Sequence, residues 1–136
     1  MGKALGIDYG TKRTGIAITD AMQIIATGLT TVSTALLDKF ITDLVQKEAI
    51  VCFVVGDPKN LDGTPTDSTG HVNGFVKRLQ KTYPTIPIHK IDERFTSKIA
   101  RQSILASGIK KKGRQNKALV DEVSATIILQ NYLDYK

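Results

Sequence analysis

The hydrophobic pattern changes period several times along the chain, and each change marks an element. Ala4 to Tyr9 and Thr14 to Thr19 read as two short strands, with Ile16 and Ile18 alternating with smaller or polar residues in the second. Gly10, Thr11, Lys12 and Arg13 lie between them as a turn. So short a connection forces antiparallel pairing, because a parallel crossover needs about a dozen residues or more. A third strand over Ala26 to Val32 extends this meander. From an N-cap at Ser33 or Thr34, Leu36, Leu37, Phe40, Ile41, Leu44 and Val45 recur at helical spacing, with Asp and Lys on the opposite face. Ile50 to Val55 is continuously apolar, as expected of a central strand covered on both faces.

Gly56 to Thr66 carries Pro58, Gly63 and Pro65 among Asp and Asn residues and reads as an ordered loop. Val72, Phe75, Val76 and Leu79 mark a second amphipathic helix, Pro84 and Pro87 bracket its exit, and Ile86 to Ile91 makes another strand. A third helix is predicted from Ser97 to Ser107, stopped by Gly108. The last helix, from Lys117 to Tyr132, is apolar at Ile127, Ile128 and Leu129 and should pack against the sheet. The order β-β-β-α-β-α-β-α-α predicts an α/β fold, a mixed sheet with helices on its faces.

With 136 residues and 41% hydrophobic content, residues 1–136 are expected to form a single domain with one proper core. The net charge of +6 favours a polyanionic partner. Cys52 is the one cysteine and sits in an apolar run, so a buried small hydrophobe is expected and a disulfide within the chain is excluded. The longest apolar run, Ala49 to Val55, is too short to cross a bilayer, and the start of the chain lacks an apolar signal region. A cytoplasmic protein with no membrane partner is the expectation.

Three acidic positions stand out. Asp8 ends an apolar strand, where a carboxylate is costly to desolvate without compensation; the bland alternative is an Asp bonding the turn that follows. Asp92 and Glu93 follow the strand ending at Ile91, and alternation lets only one of them share the face of Asp8. Either of them instead pairs with Arg94 in the plainer reading. Asp121 lies on a stripe with Lys117, Ser124 and Ile128, so it faces the sheet if Ile128 does; otherwise it belongs to a solvated acidic face. Carboxylates brought together from such separated positions suit hard divalent cations, and carboxylate-held cations suit phosphodiester hydrolysis.

The motifs Gly6-Ile7-Asp8-Tyr9-Gly10-Thr11-Lys12-Arg13-Thr14-Gly15-Ile16-Ala17, Val55-Gly56-Asp57-Pro58, Asp92-Glu93-Arg94-Phe95-Thr96-Ser97 and Lys117-Ala118-Leu119-Val120-Asp121 occur in that order. In them the chain closely resembles the YqgF (RuvX) family, nearly end to end. The resemblance implies a ribonuclease H-like three-layer α/β/α fold with a five-stranded mixed sheet in the order 3-2-1-4-5. It also implies a nuclease maturing pre-16S ribosomal RNA, related to Holliday-junction resolvases. Carried over by motif, Asp8, Glu93 and Asp121 are the expected catalytic and metal-binding residues, with Mg²⁺ or Mn²⁺ as cofactor. The chain departs from the family at Asp57, where an apolar residue is usual, and this leaves Asp57 as either an extra ligand or a turn former.

Thr11, Lys12 and Arg13 follow Asp8 and are expected to hold a phosphate; the plain alternative is a hairpin with a solvated basic tip. Arg94 and the basic run Lys110, Lys111, Lys112, Arg114 and Lys117 would track a nucleic-acid backbone without reading sequence. The expected partner is precursor ribosomal RNA or branched DNA, acted on by a monomer or homodimer. Two rival classes stay open. The first is an ATPase or phosphotransferase, because Gly6 to Thr11 is similar to the phosphate loop of sugar kinases and actin-like proteins. The second is a nucleic-acid-binding module without catalysis.

Overall fold

Apolar residues on both faces of a strand require a layer on each side, and the chain supplies both. A computed structural model describes residues 2–57, 69–92 and 117–135. In chain order the elements are β1 (Lys3–Asp8), β2 (Arg13–Thr19), β3 (Ala26–Ser33), one 3-10 turn (Thr34–Leu36), α1 (Leu37–Lys47), β4 (Ile50–Asp57), α2 (Thr69–Thr82), β5 (Ile88–Asp92) and α3 (Lys117–Tyr135). The sheet order is β3-β2-β1-β4-β5, as expected. The two hairpin contacts are antiparallel, and β4 runs parallel to both β1 and β5.

The two faces of the sheet differ in side-chain size. One carries Leu5, Ile7, Ile16, Phe53 and Val55, which pack with Leu37 and Ile41 of α1 and with Val72, Phe75, Val76 and Leu79 of α2. The other carries Ala4, Ala17, Cys52 and Val54 against Ala125, Ile128 and Leu129 of α3. Small residues on this second face let α3 settle close to the strands. At Gly6 an added Cβ would stand 2.8 Å from the Leu129 Cβ and 3.1 Å from the Ala125 carbonyl oxygen. At Gly15 it would strike the carbonyl of Asp121.

Several boundaries move for identifiable reasons. No side-chain cap is made at Ser33, which is extended, and the first turn is 3-10 rather than α. The hydroxyl of Thr34 instead donates to the Gly10 carbonyl at 2.5 Å, and its N–H donates to the Lys12 carbonyl at 3.0 Å. The expected N-cap thus braces the β1–β2 turn. Ile86 belongs to a turn, its N–H bonded to the Tyr83 carbonyl at 3.1 Å, so β5 starts two residues later than its apolar pattern suggested. Cys52 is buried, as expected. The predicted helix over Ser97 to Ser107 lies outside the described residues; of the loop predicted over Gly56 to Thr66, Gly56 and Asp57 belong to β4 and the rest lies outside them too. Among the described residues no helix is long and apolar enough to cross a membrane.

The β2–β3 connection is organised by Asp20, whose carboxylate accepts the N–H groups of Met22 (3.1 Å), Ile24 (2.9 Å) and Ile25 (2.9 Å). Gln23 between them takes a left-handed conformation, φ 54°. The bond from Ile25, then that from Ile24, holds the Asp20 carboxyl below the usual carboxylate range.

Gly15→Ala should destabilise the fold by about 1–3 kcal/mol because backbone must move, whereas Gly74→Ala, in open space within α2, should stabilise it by about 0.5–1 kcal/mol; chemical denaturation measures both. A carboxyl with a depressed folded-state pKa stabilises fully above its unfolded-state value, and that stability is lost as pH falls through the folded value. Asp20→Ala should therefore lower stability near neutrality and flatten its decline on the acid side, read as denaturation midpoints across a pH series.

Candidate active site

Alternation along β1 puts Ala4, Gly6 and Asp8 on the α3 face, and Asp8 is in register with Gly15 of β2. The backbone carbonyl of Asp121 lies over that same Gly15. Helix packing thereby carries Asp121 to the neighbour of Asp8, across more than a hundred residues of sequence. Ser124 and Ile128, on the stripe that the spacing assigned to Asp121, are both buried. The sheet-facing reading of that stripe holds.

Arg13, at the start of β2, shares this face with Gly15 and Ala17. Its Nε donates to the Asp121 Oδ2 at 3.2 Å, with the side chains 40% and 26% exposed. This ion pair was not foreseen, although the alternation that places Gly15 under α3 also aims Arg13 there. Thr11 and Lys12 at the tip are exposed. Beneath them the turn is held by Thr34 and by the Tyr9 ring, which stacks on Phe75 with centroids 4.7 Å apart and planes 16° apart. Tyr9 is thus engaged with α2, on the opposite side of the sheet from Asp8.

Asp57 and Asp92 are register partners in β4 and β5, in the same alternation as Phe53 and Ile88, and so belong to the face that α1 and α2 cover. Lys90, which shares that alternation, bonds the Asn73 Oδ1 of α2 at 2.9 Å. Neither Asp57 nor Asp92 therefore projects from its strand toward Asp8. Glu93, Arg94, Lys110, Lys111, Lys112 and Arg114 lie outside the described residues, and Lys117 opens α3. Among the described residues no three His, Cys, Asp or Glu side chains group as for a metal ion. The described candidates for such a site are Asp8 and Asp121. A cavity of about 330 Å³ between α1 and α2, lined by Ile41, Thr42, Arg78, Leu79 and Tyr83 among others, lies in the other layer.

A family model described as RuvX, Holliday junction resolvase, matches residues 2–135. A protein of Flavobacterium johnsoniae named "Putative pre-16S rRNA nuclease" is 52% identical over 136 residues, covering 100% of this chain and 99% of the relative. One of the same name from Phocaeicola vulgatus is 53% identical over 136 residues, covering 100% and 98%. Among solved structures, Thermus thermophilus RuvC in complex with Holliday junction substrate superposes with a TM-score of 0.57 at 13% identity, over 94% of this chain and 92% of that one. A second T. thermophilus RuvC structure gives 0.54 at 12% identity, over 97% and 96%. At such identities the likeness concerns the fold, which is ribonuclease H-like, with three layers and a 3-2-1-4-5 sheet.

The Arg13–Asp121 pair is part-exposed, so solvent screens most of its Coulomb attraction. In a double-mutant cycle of Arg13→Gln and Asp121→Asn, a coupling energy of about 0.2–1 kcal/mol is expected, shrinking with added salt.

Proposed function

The chain belongs to the RuvX family, and from that membership we propose that it is a nuclease hydrolysing nucleic-acid phosphodiester bonds, acting in the cytoplasm on the 5′ end of pre-16S ribosomal RNA. The observation that carries this reading is the seating of Asp121 over Gly15, the register neighbour of Asp8. Relatives about half identical over the whole chain carry the name of such a nuclease, which supports the substrate. In this reading residues 1–136 work as one ribonuclease H-like nuclease domain.

Asp8, Glu93 and Asp121 would hold Mg²⁺ or Mn²⁺. The donor chemistry fits, because carboxylate oxygens are what hard divalent cations take. Bound there, the ion would stabilise charge on the attacking and departing oxygens of the phosphate. Asp8, at the end of the central strand β1, would fix the reacting end. Arg13 already supplies positive charge to Asp121, and together with the exposed Thr11 and Lys12 it would hold the phosphate beside the acids. Arg94, Lys110, Lys111, Lys112, Arg114 and Lys117 would follow the backbone by contacts that do not read bases. A second reading, cleavage of four-way DNA, is favoured by the family's description as a Holliday junction resolvase.

Labelled precursor RNA and four-way DNA, each incubated with the protein in Mg²⁺, Mn²⁺ or chelator, test both readings. Metal-dependent cleavage of the RNA is expected, and Asp8→Asn should abolish it while leaving binding largely intact. Binding without cleavage in any metal would refute the nuclease. Lys111→Ala should weaken RNA binding and reduce the slope of log affinity against log salt by about 1.

A further inference from the structure

Ion pairs stand at both ends of β1, and they are built differently. At its start, Lys3 meets the Glu48 carboxylate at 2.6 Å, a tight contact that ties the strand to the end of α1. At the acidic end, Arg13 reaches the Asp121 Oδ2 through Nε alone, at 3.2 Å. A guanidinium facing a carboxylate can make two parallel bonds, and charge-assisted bonds of this kind run to about 2.7–2.9 Å. The Arg13 pair is therefore single, long and open to solvent, with 40% of the arginine side chain exposed. The backbones that carry it are fixed. Asp121 is seated on Gly15 through its carbonyl. Arg13 stands between Lys12, whose carbonyl accepts the Thr34 N–H at 3.0 Å, and the buried Thr14, whose hydroxyl bonds that of Thr34 at 2.9 Å. Breaking the pair thus takes side-chain rotation and no change of fold.

We propose that Arg13 couples metal binding to nucleic-acid binding: it holds the Asp121 carboxylate while no divalent cation is bound, yields it to the cation, and turns its guanidinium to a backbone phosphate. Electrostatics sets the direction. A divalent cation taken up by the acids repels a guanidinium on the same carboxylate, and an arginine keeps its charge when it is displaced. The neighbouring Thr11 and Lys12 are exposed at this end, so the displaced charge faces the side from which a phosphate arrives. Metal and phosphate both favour the arrangement in which Arg13 has left Asp121. Each therefore tightens the binding of the other, and by the same factor. The inference rests on the nuclease reading of the site, and its test separates the two.

Calorimetry with Mn²⁺ alone, on proteins that circular dichroism shows to be folded, reads the first half of the exchange. Arg13→Gln should bind Mn²⁺ about two- to fivefold more tightly than wild type, because the ion no longer has to break an exposed pair worth that factor. Damage to the fold would not produce a gain of affinity. Lys12→Gln removes the same charge from the next position, where the side chain is exposed, and should change Mn²⁺ affinity by less than about twofold because solvent screens it. On titration with Mg²⁺, the NMR signal of the Arg13 Nε–H should move to that of an unpaired arginine. Mg²⁺ should also tighten binding of a phosphorothioate RNA oligonucleotide more in wild type than in Arg13→Gln. Unchanged or weaker Mn²⁺ binding by Arg13→Gln, an Nε–H signal that Mg²⁺ leaves in place, or equal tightening in the two proteins overturns the exchange and leaves the nuclease reading standing. Failure of both proteins to bind Mn²⁺ overturns the metal-dependent reading, and the exchange with it.

Discussion

Helix α3 can lie where it does because Gly6 and Gly15 present no side chain to it, and the acidic end of the sheet takes its geometry from that contact. On the opposite face Leu5, Ile7, Ile16 and Phe53 hold α1 and α2 off at ordinary side-chain distance. On the α3 face the floor is Ala4, Gly6, Gly15 and Ala17, and the helix backbone itself comes down onto it at Asp121 and Ala125. One methyl group at Gly15 would lift or tilt the first turns of α3 and carry the Asp121 carboxylate with them. Cations of the proposed kind accept oxygens only within a few tenths of an ångström of their preferred distance. The glycine floor is therefore a condition of the site as well as of the packing.

The same approach creates an electrostatic cost that the chain meets locally. Seating the Asp121 backbone over Gly15, the register neighbour of Asp8, brings two acidic residues to one end of the sheet, and like charges so placed repel. Arg13 answers this from β2, reaching Asp121 across the Gly15 position. A guanidinium keeps its proton under all ordinary conditions, so this positive charge is permanent and directional. In the proposed nuclease a divalent cation and Arg13 would compete for the same carboxylate oxygens. An arginine released from that role would be close to the phosphate it is proposed to hold. The turn bearing Thr11 and Lys12 has to be stiff for such an exchange to be orderly, and Thr34 and the Tyr9–Phe75 stack supply the stiffness.

Much of this was legible in the residues, for reasons that differ by element. Period-two alternation and a four-residue turn were enough to pair β1 with β2, because chain length excludes a parallel crossover. The i, i+3, i+4 rule puts Asp121 on one stripe with Ser124 and Ile128, and the burial of those two turns that stripe to the sheet. The glycines were silent, since a Gly within a strand reads equally as a weak point, a bulge or a close approach. Only the partner helix decides which. Ser33 and Thr34 both suit a helix cap locally, but the nearby Gly10 carbonyl offers the Thr34 hydroxyl a bond that no local rule includes. Asp57 and Asp92 show the reverse case. Their chemistry invited a role in the site, and strand alternation sends both to the face of α1 and α2.

Charge is also distributed by function across the sheet. Arg13 and Lys12 sit at the acidic end, where a polyanion would arrive, and Lys90 and Asp92 mark the β5 edge. From Ala21 to Leu37 the chain itself carries no charged residue. The strand β3 in that stretch is covered from outside its own sequence instead, because Gln130 of α3 accepts the Ala26 N–H at 3.2 Å. The Glu122 carboxylate of α3 lies over Gly28, so the charge that discourages a further strand reaches β3 from the helix that also seats Asp121.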